Sequence, residues 1–289
     1  MREYSILSWN VDGYDAKVHA ELTDYIHTHN PDIIFLSETK NREPRLAVLL
    51  EQIQGYSFII NAHRPSNTHG VAMLTKAGIS AIHKPVTLNT PARHDTLTGL
   101  NDETAVSSFK SIIRGGLSPL ITGNPADGRV IGIDIDNAFT IVGTYVPNSG
   151  AIGNAVNMDY RISKWDPALQ EYLLMRTTKP TLWIGDINVA PTILDASDPE
   201  TMCAYAGFRP AECESHNRFM SRGWIDVWRR DHPDARGYSW IGYGSRDNHG
   251  LRLDNIIASP DLAGLVTNTF IGEPCALSDH CPIGCTITI

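Results

Sequence analysis

The 289-residue chain has no basic excess. Its 24 Lys and Arg stand against 32 Asp and Glu, for a formal net charge of −8. Proteins that grip nucleic acid by general electrostatics neutralise phosphates with a basic surface, and this composition excludes that class. Contact with nucleic acid would need a local patch, or a cation held by clustered acids. Long apolar runs are also missing: none approaches the roughly 18 residues of a membrane span, so no membrane partner is expected. Cysteine is scarce. The five are Cys203, Cys213, Cys275, Cys281 and Cys285. Their odd number and the lack of a CxxC pair exclude a disulfide framework and a zinc site, and point to reduced thiols in a cytoplasmic or nuclear protein. The opening residues Met1 to Ser5 enter a strand-like run directly, so no secretory signal is expected. Low-complexity segments, linkers and repeats of fixed period are absent too.

What is present describes a soluble globule with ample core, 42% hydrophobic and 19% charged. The length suits two domains or one large two-sheet fold. Tyr4 to Asn10 alternates like a strand, and Asn10-Val-Asp12-Gly13 ends it. Val18, Leu22, Tyr25 and Ile26 make a helical stripe over 17–29, stopped by Asn30-Pro31. Asp32 to Ser37 reads as a buried strand with Glu38-Thr39-Lys40 at its end. Leu46, Leu49, Leu50 and Ile53 mark a second helix. Tyr56–Asn61 and Gly70–Thr75 suggest a strand pair. This order is an α/β pattern. Residues 86–126 form an excursion too poor in apolar residues for a core, with a short helix expected near 105–113. Paired strands follow over 128–136 and 139–146. A long helix is expected over 158–176, with Pro167 either opening a new helix behind an Asp166 cap or kinking the first. Asp195 to Glu214 reads as loop, 217–223 as helical, and Tyr238–Ile241, Arg252–Ala258 and Pro282–Ile289 as strands.

One stretch organises the rest: Trp183-Ile-Gly-Asp186-Ile-Asn188-Val-Ala-Pro191. The apolar run 181–184 is a buried strand. In extended chain Asp186 and Asn188 project to the same side. Alone, Asp-x-Asn after a strand is more often turn chemistry. Other polar groups, however, also sit at strand ends: Asn10, Asp12, Glu38, Tyr145, Asn148, Asp254, Asp279 and His280. Sites in sheet proteins form where strand ends meet. Oxygen donors such as Glu38, Asp12 and Asn10 suit a hard cation such as Mg²⁺. A carboxylate beside a histidine orients the ring, and a second carboxylate near a phosphate accepts a water proton. Each residue also has a plainer reading: Glu38 pairing with Lys40, Asp12 in a turn, Tyr145 packing, Asp279-His280 capping, Asp254 pairing with Arg252. The echo between Leu7–Asn10 and Trp183–Asp186, both apolar strands ending in such residues, suggests two similar halves.

Taken together, SWNVDG (8–13), DIIFLSETK (32–40), HGVAMLTK (69–76), YVPNSG (145–150), YRISKWD (160–166), WIGDINVAP (183–191), AGFRPAE (206–212), GLRLD (250–254) and SDHCPI (278–283) resemble the exonuclease–endonuclease–phosphatase superfamily. Within it they are most similar to the exonuclease III-like abasic-site endonucleases. The motifs fall in family order and cover most of the chain except 86–126. The resemblance implies a single domain, a four-layer α/β sandwich of two mixed sheets flanked by helices. It implies a monomer that hydrolyses double-stranded DNA 5′ to an abasic site with Mg²⁺ (or Mn²⁺), and that trims 3′ ends. Carried over by residue, Glu38 is the principal metal ligand, with Asn10, Asp12 and Asp279 close by. Asp186 activates the attacking water beside Asn188. His280, held by Asp254, meets the scissile phosphate with Tyr145 and Asn148. Trp240, Leu251 and Leu253 form the apolar wall for the flipped-out sugar.

The chain also departs from the family. Tyr14-Asp15 replaces a usual Leu-Arg pair, which turns a basic DNA contact acidic. Ala151-Ile152 stands where mammalian-type members place a wedging Arg. The loop 196–206 offers Asp198, Glu200 and Tyr205 in place of Asn and Lys. Ser37 replaces a common Gln, and Leu251 matches the bacterial branch. Arg93, His94, Lys110 and Arg114 in the insertion are candidates for a replacement grip. Two other readings follow: a phosphodiesterase or phosphatase acting on RNA, a DNA end adduct or a small phosphoester, and a non-catalytic binding protein on the same fold.

Overall fold

The computed structural model describes residues 1–63, 67–84, 86, 88, 128–151, 153–175, 177–242 and 250–289. In chain order the strands are β1 Glu3–Asn10, β2 Ile33–Ser37, β3 Tyr56–Ala62, β4 Gly70–Lys76, β5 Ala81–Lys84, β6 Val130–Ile135 and β7 Phe139–Tyr145. They continue with β8 Thr181–Asp186, β9 Ile225–Asp226, β10 Trp240–Ile241, β11 Gly250–Leu251, β12 Asp254–Ala258, β13 Val266–Ile271 and β14 Ile283–Thr288. The helices are α1 Ala16–His29, α2 Glu43–Leu50, α3 Ala155–Tyr160, α4 Asp166–Met175, α5 Pro199–Met202, α6 Pro210–Met220, α7 Val227–Asp231 and α8 Pro260–Ala263.

Two six-stranded mixed sheets result, ordered β13-β14-β1-β2-β4-β3 and β5-β6-β7-β8-β12-β9. Each follows the same series of pairings. From β3 and from β5 inward, two antiparallel steps lead to one parallel pair, and two more antiparallel steps lead out. The echo between the two apolar strands therefore reflects a repeated topology. The parallel pairs, β1/β2 and β7/β8, are central. Their carboxyl ends carry Asn10 opposite Ser37, and Tyr145 opposite Asp186. Crevices outside such ends are where open α/β sheets bind ligands.

The inner sheet faces share one core, including Ile6, Phe35, Met73, Ile133, Ile141, Ile184 and Ile256. Phe35 reaches across to β7 and β8, where only glycine leaves room. A Cβ on Gly143 would lie 2.3 Å from the Phe35 ring. Gly185 adds a positive φ of 130°, a conformation that side chains disfavour. Outside, α1 and α2 cover the first sheet through Val18, Leu22, Leu46 and Leu50. α4 and α6 cover the second through Leu169, Leu173 and Phe219. Four layers follow, as the resemblance implied.

Four elements differ from expectation. The helix over 158–176 neither restarts at Asp166 nor breaks there. It runs from α3 through a π turn, Arg161–Trp165, into α4, with Asp166 itself helical (φ −56°, ψ −49°). The wide turn sits just before Pro167, which has no N–H to donate. The region 195–214 is not loop: α5 and the start of α6, Pro210 to Glu214, lie in it. The face that α6 buries includes Glu212, Ser215 and His216 beside Phe219, so polar residues at core positions hide its periodicity. β13 is likewise invisible to an alternation rule, because its register shifts between Thr267 and Phe270. Tyr238–Ile241 contributes only β10, which pairs with β11 outside the main sheets. The helix expected near 105–113, and Arg93, His94, Lys110 and Arg114, lie outside the described residues.

Candidate active site

Asp186 is the last residue of β8 and Asn188 has φ 51°. They are thus brought together by a left-handed turn, not by strand alternation. The Asn188 backbone N–H donates to Asp186 Oδ1 at 2.9 Å, and its carboxamide Nδ2 to Asp186 Oδ2 at 3.1 Å and to the Val146 carbonyl at 2.9 Å. The turn chemistry and the shared orientation are one feature. Asp12, Glu38 and Lys40 also have positive φ, at 44°, 51° and 47°. Such conformations cluster at functional sites, where the surroundings over-determine them.

Asn10 ties the two sheets' contributions together. Fully buried, its Nδ2 lies 3.1 Å from Glu38 Oε1, 3.0 Å from Asp186 Oδ2 and 3.3 Å from His280 Nε2. Glu38 also accepts a hydrogen bond from Tyr145 and pairs with Lys40 Nζ at 2.7 Å. Burial alone would raise the Glu38 pKa, but the Lys40 charge and these hydrogen bonds hold it below the usual carboxylate range. Asp12 pairs with the same Lys40 ammonium. Asp279 accepts from Trp240 Nε1 at 2.9 Å. Its pKa is raised, first by burial and then by Asp12 and Glu38.

His280 Nδ1 meets Asp254 Oδ2 at 2.6 Å, and Asp254 stands directly opposite Asp186 in the β12/β8 ladder. Asp186, Asp254 and the His280 imidazole are therefore buried side by side. Burial disfavours a charged His280, yet Asp254, Asp186 and Asp279 outweigh it and push its pKa up to about 10. Asp186 moves up to about 8, through burial first, then Asp254 and Glu38. His280 protonated on Asp254, with Asp186 holding a proton more readily than usual, is the arrangement that these directions describe. Tyr145 is raised well above its ordinary value by burial and by Glu38, so it stays a neutral donor. Asn148 donates to Asn188 Oδ1 at 3.0 Å.

Glu38, Asn148, Asp186, Asn188, Asp279 and His280 line a cleft of about 230 Å³ whose apolar wall is Trp240, Leu251 and Leu253. Asn10, Tyr145 and Asp254 stand directly behind these groups. Asp12 reaches the site through Lys40. All thirteen positions singled out in the sequence thus converge. The plainer reading holds for Glu38, which does pair with Lys40. It does not hold for Asp254, because Arg252 turns instead to Asp195 and Asp226, each at 2.6 Å.

Several supporting residues were given no such role, or another one, by the sequence. Arg161, in the π turn, is 2% exposed. It donates to the carbonyls of Pro147, Asn188 and Ile187 at 3.0, 3.1 and 2.9 Å, and to Asp166 at 2.8 Å. It thereby staples the two loops that bear Asn148 and Asn188. Ser239 donor–acceptor geometry fixes Asp254: its Oγ accepts from the backbone N–H of Leu253 and Asp254 at 3.0 and 2.8 Å. Tyr205 lines the cleft. Asp15, expected to oppose DNA, instead caps α1 by accepting from the N–H groups of Lys17 and Val18. Arg161→Met should lower stability by about 3–5 kcal/mol, since it strands Asp166 and three carbonyls in the interior. A denaturant midpoint unchanged from wild type would contradict the staple.

Among the described residues, no three His, Cys, Asp or Glu side chains already surround a metal position. The donor set nevertheless fits Mg²⁺. That ion takes one or two carboxylates and fills its shell with waters and phosphate oxygens, and an ammonium, that of Lys40, already lies between Asp12 and Glu38.

The chain matches the Endonuclease/Exonuclease/phosphatase family over residues 7–280. It is 32% identical to a DNA-(apurinic or apyrimidinic site) endonuclease of Dictyostelium discoideum, over 99% of this chain and 71% of that protein. It is 29% identical to an exodeoxyribonuclease of Bacillus subtilis, over 98% and 99%. Among solved structures, an AP endonuclease from Leishmania major superposes with a TM-score of 0.77 at 25% identity, covering 99% of this chain and 88% of the other. The chain belongs to the endonuclease/exonuclease/phosphatase family, as a hydrolase on its exonuclease III-like, abasic-site endonuclease branch.

Proposed function

We propose that the chain is a Mg²⁺-dependent DNA repair phosphodiesterase that cleaves double-stranded DNA 5′ to abasic sites and trims 3′ ends. The observation that carries this is the single cleft in which Asp186, Asn188, His280 and Glu38 meet, with Asp254 and Tyr145 behind them. The names of the Dictyostelium and Bacillus relatives support the endonuclease and exonuclease halves respectively.

A phosphodiester at neutral pH needs a deprotonated water and donors for the charge that develops on non-bridging oxygens. Asp186, oriented by two hydrogen bonds from Asn188, takes the water proton from its ionised form, which a cation held beside Glu38 would favour. Its raised pKa makes that form a stronger base than an ordinary carboxylate. His280, kept cationic by Asp254, together with neutral Tyr145 and Asn148, faces the phosphate. Glu38, with Asn10, Asp12 and Asp279 close by, would hold Mg²⁺, which supplies Lewis-acid polarisation of the phosphate when bound. Trp240, Leu251 and Leu253 receive an extruded sugar. A nucleotide without a base has no stacking to lose, so its extrusion costs little and selectivity follows.

A gel assay with abasic duplex, 3′-phosphate duplex, plain duplex and single strand tests this. Mg²⁺-dependent nicking 5′ of the abasic site is expected. Intact abasic duplex at excess enzyme with Mg²⁺ and with Mn²⁺ overturns it, and turnover of another phosphoester would move the same chemistry to that substrate. Glu38→Gln should weaken Mg²⁺ binding by about tenfold or more, read by calorimetry without substrate.

A further inference from the structure

Beside the catalytic cleft lies a second hollow that the proposed reaction does not use. It measures about 400 Å³, is predominantly apolar, and is lined by Gly153, Ala155, Met158, Cys203, Ala204 and Arg209 among others. The two spaces are joined through one loop: Ala204 faces the hollow, and Tyr205 and Ala206 line the cleft. Tyr205 is 51% exposed, and Val156 on the first turn of α3 is 71% exposed. The ridge between the spaces is held firmly. Arg209 donates to the carbonyls of Ala204 and Gly150 at 2.9 and 2.8 Å and to Ser149 Oγ at 3.2 Å. The Tyr205 backbone N–H donates to Met202 O at 2.8 Å.

The charge here is wrong for a phosphate. The one guanidinium in the wall is committed to carbonyls and a hydroxyl, and the neighbouring loop carries Asp198 and Glu200. What suits a largely apolar hollow with its one guanidinium already committed, next in the chain to the exposed Tyr205 that lines the cleft, is a flat, uncharged ring. Nucleobases stack on aromatic side chains without regard to sequence, each contact being worth about tenfold in affinity. A base inside a duplex is paired and stacked and cannot reach such a place. The hollow adjoins the cleft through consecutive residues, Ala204 in one wall and Tyr205 in the other, which favours an occupant from the strand being cut.

We propose that Tyr205 and the adjoining apolar hollow form a stacking subsite for one unpaired nucleobase flanking the scissile phosphate. The enzyme then favours frayed or mismatched DNA around its target over fully paired DNA, which compensates for the basic contacts that Ala151 and the 196–206 loop do not provide. This rests on the phosphodiesterase reading above.

Three abasic duplexes test it, identical except next to the lesion: a paired nucleotide, a mismatched nucleotide, or a second abasic site. The last is flexible but has no base, so it separates stacking from mere flexibility. Wild-type kcat/KM should be about tenfold higher on the mismatched than on the tandem-abasic duplex. Tyr205→Phe should keep that ratio. Tyr205→Ala, and Ala155→Phe, which fills the hollow from an exposed position, should bring it to near one. With 2-aminopurine as the mismatched base, binding should quench its fluorescence in wild type and not in Tyr205→Ala. An equal ratio in wild type, or one unmoved by both variants, overturns the subsite while leaving the parent reading intact. No cleavage of any of the three overturns the parent reading, and the subsite with it.

Discussion

Asp186→Asn should lower kcat on an abasic duplex by about 10²–10⁴-fold, the usual contribution of a positioned general base, without unfolding the protein. Asn keeps the shape and its Oδ1 can still accept from the Asn188 N–H, but its Nδ2 takes the place of an oxygen that accepts from the Asn10 and Asn188 carboxamides, and it cannot take a proton. The same substitution should also make the metal-free protein's stability, relative to wild type, rise with pH. Folding raises the Asp186 pKa from 3.8 to about 8, so the fold prefers the neutral acid. The resulting cost is absent below about pH 4, grows as pH rises between the two values, and is complete above pH 8. The variant's stability relative to wild type, measured by denaturant titration at pH 5 and pH 8.5, should therefore be greater at the higher pH. A relative stability that falls with pH would show that Asp186 is held ionised.

The Asp254–His280 pair predicts an effect of similar size with the opposite pH sign. Asp254→Asn or His280→Asn should reduce kcat by about 10²–10³-fold, as removal of one preorganised donor to a developing oxyanion does. Here folding raises the histidine pKa from 6.5 to about 10. The pair's stabilisation is fully present below pH 6.5 and disappears as pH rises through 10. Thermal melts of wild type and Asp254→Asn should differ most near pH 6 and converge near pH 10. Curves that stay parallel throughout would mean that His280 is neutral in the fold.

The fold and most of the cleft were legible because both follow short-range rules. Apolar strands ending in Asn10, Ser37, Tyr145 and Asp186 announced themselves by alternation in the first, by short apolar runs or turn pairing in the others, and by the polar groups after them. What escaped was long-range or masked. Arg161 reads as one more charged residue on a helix, since its value comes from three carbonyls 14 to 27 residues away. α6 hid behind Glu212, Ser215 and His216, polar residues at buried positions. Asp15 looked like a changed DNA contact and is a helix cap, because sequence shows that a charge has been exchanged but not which N–H groups it meets. The Asp186–Asn188 pair was placed together for a different reason from the real one: a left-handed turn at Asn188 does the work assigned to strand alternation.

The central claim, that one metal-assisted cleft hydrolyses a phosphodiester with Asp186 as the proton acceptor and His280 as a cationic donor, is tested most directly by single-turnover cleavage. Excess wild type, Asp186→Asn and His280→Asn would each be mixed with an end-labelled abasic duplex in Mg²⁺. The expected result is a 5′ nick by wild type, slowed about 10²-fold or more in each variant with duplex binding retained. Variants that cut within about threefold of wild type would contradict the account.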